Sequence, residues 1–94
     1  MPICIREIIG NNTWGRQLEV PCDSEEFHCQ LNAAVEWIKV HAIELKDAEY
    51  ICDIGFQNEK SENAIFGYTI QVEQMKVFVD LNITLWLSRL KDDN

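Results

Sequence analysis

His28 and Cys29 are the closest this chain comes to a nucleophile beside its base. An imidazole that takes the proton of a thiol makes a catalytic pair, but neighbours on a helix project about 100° apart and do not meet. Cys52 falls on the apolar parity of a strand, where a thiol is an inert small hydrophobe. A metal would have to draw on Cys22, His28, Cys29, His41 or Cys52. These positions hold no Cys-x-x-Cys pair and no two histidines four apart on a helix, so neither a metal site nor a cofactor is expected. Asp53 and Asp80 could put two carboxylates on one sheet face. In a cleft such a pair does acid–base work or holds a hard cation; on an open sheet it is a solvated acidic face, which is the expectation here. No catalytic residue is assigned, and the chain is read as a non-enzyme.

Composition narrows the partners. The net charge is −8, with sixteen Asp and Glu against eight Lys and Arg. From Gln17 to Ile38 the chain carries Glu19, Asp23, Glu25, Glu26 and Glu36 and no base. That balance excludes direct nucleic-acid binding through a basic patch and leaves room for a basic protein partner. The apolar runs are too short to span a bilayer and no signal-peptide pattern opens the chain, so a cytoplasmic location without membrane association is expected. Four cysteines are then reduced thiols rather than a disulfide framework. The two N-x-T triplets at Asn11 and Asn82 are chance matches on the same ground.

The elements that would position these residues follow from periodicity. Ile3 to Ile9 and Arg16 to Val20 read as strands around a Gly-Asn-rich loop, with Pro21 ending the second. Asp23 followed by Glu26 resembles a capping box, which starts a helix running to Leu45. Its core stripe is Phe27, Leu31, Ala34, Ile38, Ala42 and Leu45. After Asp47 the period becomes two: Tyr50, Cys52, Ile54 and Phe56, then Phe66, Tyr68, Ile70 and Val72, then Val77, Val79, Leu81, Ile83 and Leu85. The change of parity between Val72 and Val77 predicts a hairpin at Gln74-Met75, despite poor turn chemistry. Asp53, Thr69 and Asp80 would then share a row on the solvent face, with Gly55, Gly67 and Asn82 in another and Ile51, Gln71 and Phe78 in a third. The expected fold is a single α+β domain over 1–94. One long helix (about 23–45) packs on an antiparallel sheet of about five strands in the order ββαβββ, and a short helix follows about Thr84.

Two surfaces are candidates for function. Cys29, Ala33, Trp37, Val40 and Ile43 give the helix a second apolar face, opposite its core stripe and rimmed by Glu36 and Glu44. Tryptophan with aliphatic neighbours inside a charged rim is the composition of a protein interface. The expectation is a small acidic interaction module, a homodimer through this face. A sharper version is an acidic inhibitor or nucleic-acid mimic of the kind carried by phages and mobile elements, acting on a basic protein. The alternative is a small-molecule binder with a pocket between helix and sheet, lined by Tyr50, Phe56, Phe66 and Tyr68.

Overall fold

The computed structural model describes residues 3–11, 13–24, 26–57 and 69–90. Strands β1 (Ile3–Gly10) and β2 (Thr13–Glu19) form a hairpin, followed by helix α1 (Phe27–Val40), a single turn α2 (Ala42–Leu45) and strand β3 (Tyr50–Gln57). Helix α3 (Val72–Asp80) and strand β4 (Ile83–Leu90) complete the order. The class is α+β as periodicity requires, but among the described residues the sheet has four strands in the order β2-β1-β3-β4. It is mixed: β1 runs antiparallel to β2 and β3, whereas β4 runs parallel to β3. Both differences from the expected five antiparallel strands come from the segment after β3.

The first half follows its pattern closely. Ile3 and Ile5 on β1 and Tyr50, Cys52, Ile54 and Phe56 on β3 turn one face toward α1 and are buried there. Phe27, Leu31, Ala34, Ile38 and Leu45 meet them from the helical side, and Ala42 is half-buried. The β1–β2 pairing is irregular, with register shifts between Arg6 and Ile8 and between Ile8 and Gly10. Gly15 fits this irregularity because a Cβ there would lie 2.5 Å from Ile9 Cδ1 and 2.6 Å from Glu7 Oε1. The same Glu7 carboxylate accepts the Arg16 backbone N–H at 3.1 Å.

The helix is shorter than the 23–45 expected. Its N-cap is Glu26, in extended conformation and without a side-chain cap, so the box proposed at Asp23 does not form. The entry is fixed instead by Ser24, whose hydroxyl accepts the Glu26 N–H at 3.0 Å and whose carbonyl accepts the Gln30 side-chain amide at 2.9 Å. At the other end the backbone leaves helical geometry at His41 (φ −103°, ψ 18°), and α2 continues as one turn bonded back to the His41 carbonyl.

The expected hairpin at Gln74-Met75 is the first turn of α3. Gln71 caps it: the Gln74 side-chain oxygen accepts the Gln71 N–H at 2.8 Å while the Gln71 side chain caps the N–H of Gln74. This reciprocal cap favours helix over turn. Asn82, at φ 54°, lies just past the helix end, where asparagine tolerates the left-handed region, and the chain then enters β4. That strand runs to Leu90, so the helix expected after Thr84 is absent up to that residue. A helix between two parallel strands is the usual way for a chain to return to the same end of a sheet. Helix α3 lies beside α1 on the same side of the sheet, with Gln74 donating to Asn32 Oδ1 at 2.9 Å and Phe78 buried in the core.

Candidate interaction surfaces

The residues with chemical potential do not converge. Cys29 is exposed and its thiol donates to Glu26 Oε2 at 3.5 Å, while His28 sets its ring edge-on to Phe27. Burial pushes the Cys52 thiol up to about 12, with the Asp53 carboxylate and Cys4 adding to it, so no thiolate forms there near neutrality. All four cysteines are unbridged, and among the described residues no three His, Cys, Asp or Glu side chains come together as a metal site would need.

The acidic sheet face is corrected. Asp53 does lie on the face turned away from the helices, but Asp80 closes α3 and shares no face with it. Phe78 leaves its proposed row for the same reason, Gln71 is the N-cap of α3, and Thr69 precedes it outside any strand. Asp53 is not a free carboxylate either. Arg6 approaches Oδ2 at 3.4 Å and the Ser88 hydroxyl donates to Oδ1 at 3.2 Å. Arg6 also lies over the Trp14 ring at 5.6 Å, so the centre of this face is a neutralised network.

Of the residues proposed to line a pocket, Tyr50 and Phe56 are core side chains, 3% and 6% exposed. Phe56 packs edge-on against Phe27 at 5.2 Å, and Tyr50 reaches Arg16. Arg16 also pairs with Glu44 at 2.9 Å, which ties β2 to α2. Phe66 and Tyr68 lie outside the described residues. A cleft of about 460 Å³ does occur elsewhere, where α3 meets β4. Its lining, from Glu49, Phe78, Val79, Asn82, Ile83 and Thr84, is open to solvent and lacks the enclosed, mostly apolar walls of a small-molecule site.

The second helix face divides into two parts. Ala33 and Trp37 are half-buried and packed against the core. The indole is stacked on His41, with ring centroids 3.8 Å apart and planes 15° off parallel, and His41 Nδ1 lies 2.8 Å from the Trp37 carbonyl. Cys29 is exposed, and Val40 and Ile43 stand out of the surface at 79% and 81% exposure. The break at His41 separates the last two, yet both stay unburied beside the Trp37–His41 stack.

A second apolar surface was not singled out from sequence. Trp86 and Leu87, in the middle of β4, are 50% and 40% exposed. On α3, Val72, Met75 and Val79 are exposed at helical spacing. Their i, i+3, i+7 recurrence was present in the sequence, but alternation read over the same residues concealed it. No protein-family model, no curated protein and no solved structure matches the chain.

Proposed function

We propose that this protein is a small acidic interaction module without enzymatic activity. It works as a homodimer in the cytoplasm and offers its Trp37 helix face to another protein. The observation that carries the reading is the pair Val40 and Ile43, about four-fifths exposed beside a half-buried tryptophan. Burial of a side chain of that size in a partner's surface is worth roughly 1.5–3 kcal/mol. Trp37 is already held in place by His41, so little rotamer freedom is lost when a partner docks.

Charge supports a basic partner. Glu19, Asp23, Glu26, Glu36, Glu44, Asp47, Glu49, Glu73 and Asp80 are all exposed. Only Glu36, with Lys39 at 3.4 Å, and Glu44 have ion-pair partners among the described residues. A surface of that sign speeds encounter with a basic protein and makes binding salt-sensitive. An acidic inhibitor that occupies a nucleic-acid-binding groove is the most specific form of this reading.

The test is photocrosslinking in extracts of the source cell, with a benzophenone side chain at Val40 or, as control, at exposed Lys46. A defined adduct is expected from position 40, weakened at high salt and lost with Ile43→Glu. Equal adducts from both positions, or none from position 40, would contradict the helix face as a docking site.

A further inference from the structure

We infer that two copies of this chain pair through the edge of β4 that no described strand occupies, antiparallel about a two-fold axis, so that the sheet continues across the dimer and the exposed stripe of α3 packs on its copy. The inference rests on the reading of the protein as a homodimer and assigns that dimer to a surface other than the Trp37 face.

Four observations lead to it. First, β4 pairs with β3 on one side, and among the described residues no strand pairs with its other side over eight residues. Outward N–H and C=O groups on an edge are a template for another strand. Second, the two sheet edges differ in protection. The β2 edge is irregularly paired, carries Arg16 and Glu19, and is followed by Pro21. Ile83 to Ser88 carries no charge and no proline, the strand's one charge being Arg89 near its end, and its pairing with β3 has no register shift.

Third, the apolar stripe of α3 lies toward this edge. Gln74 holds α3 to α1 through Asn32. At about 100° per residue, Val72 and Val79 sit about 140–160° round the helix from Gln74, turned away from α1. The helix packs between α1 and β4, so that direction is the β4 side of the molecule. Fourth, the area fits a second copy. Leu87, Val72, Met75 and Val79 on the helix side of the sheet and Trp86 on the opposite face together expose on the order of 500 Å² per copy, a large part of the roughly 800 Å² per partner of a stable interface. Val40 and Ile43 alone expose much less.

The strand is also complementary to itself. A two-fold axis perpendicular to the sheet keeps each face continuous, so opposed residues share parity. The register centred on Trp86 sets Trp86 against its copy, Thr84 against Ser88 and Leu85 against Leu87. These are an aromatic pair, a hydroxyl pair and an aliphatic pair, each a favourable cross-strand combination.

Sedimentation equilibrium of wild type, Val79→Glu, Trp86→Lys and Val40→Glu tests this, with circular dichroism to confirm that each variant is folded. Wild type and Val40→Glu should be dimers, and Val79→Glu and Trp86→Lys should dissociate at least 100-fold more readily. Register is checked in a Cys29→Ser background, where oxidised Trp86→Cys should form an interchain disulfide and Thr84→Cys should not. Two variants keep the test usable if one fails to fold. A dimer broken by Val40→Glu but not by the other two would overturn the β4 assignment and leave the homodimer standing. A monomeric wild type would overturn both, and leave the partner-binding helix face to its own crosslinking test.

Discussion

Phe78→Ala is expected to destabilise the protein by about 3–5 kcal/mol, the usual cost of emptying a buried aromatic site. Phe78 is 4% exposed in the structure and belongs to the core that α3 closes over the sheet. Were Val72 to Asp80 the hairpin that alternation suggests, Phe78 would face water and its loss would cost no more than about 0.5 kcal/mol. One variant therefore separates the two folds. Urea unfolding at a single protein concentration is the measurement, because a dimer's apparent stability depends on concentration. A loss below about 1 kcal/mol would mean that α3 does not pack as described.

The second large effect is alkaline. Cys52 is fully buried on β3, and its thiol is pushed up to about 12 against an ordinary value of 9.0. Below pH 9 the thiol is neutral folded or unfolded and makes no difference to the pH dependence. Above pH 9 the unfolded chain releases this proton while the folded one keeps it, so unfolding becomes easier as pH rises. The folded state should lose about 1.4 kcal/mol per pH unit between pH 9 and 12, roughly 4 kcal/mol in all. Lysine and tyrosine titration also acts there, so the quantity to read is the difference between wild type and Cys52→Val. Valine has no proton to lose, and the gap between the two proteins should move in the variant's favour as pH rises. A gap independent of pH from 8 to 11 would place Cys52 in a wetter site. Thiol labelling near pH 8 gives the same answer kinetically, with exposed Cys29 modified first and Cys52 last.

How much of this was legible follows from where the signals compete. The core stripe of α1 and the parity of β3 could be read directly, because each has one hydrophobic period and no rival. Asp23 was a misleading cap, since a capping-box spacing records what side chains could do. The structure uses Ser24 and Gln30 instead, a pairing that requires knowing the path from β2 to the helix. The segment from Val72 to Leu85 supports both periods, with Val77, Val79 and Leu81 alternating and Val72, Met75 and Val79 recurring helically. The poor turn chemistry of Gln74-Met75 was the available warning, and Gln71 with Gln74 the positive sign of a helix start. A parallel β4 was not legible, because pairing direction depends on where α3 returns the chain.

The candidate surfaces divide in the same way. The Trp37 face was visible because Cys29, Ala33, Trp37 and Val40 recur at helical spacing within α1. The partial cover of Trp37 by His41 was not, since it depends on the helix breaking at that residue. Asp53 and Asp80 share a face only if Gln74-Met75 is a hairpin, and Trp86 stays hidden when the strand is taken to end near Thr84 rather than at Leu90. The proposed function lies in surfaces rather than in a cluster of reactive groups, and a surface is legible only as far as the fold beneath it.

The central claim is that the protein acts as a homodimeric interaction module, and its mass in solution tests that most directly. Sedimentation equilibrium of the unmodified chain at micromolar concentration should return twice the chain mass of 10.9 kDa, falling toward one chain mass on dilution. A single species of 10.9 kDa up to several hundred micromolar would contradict it.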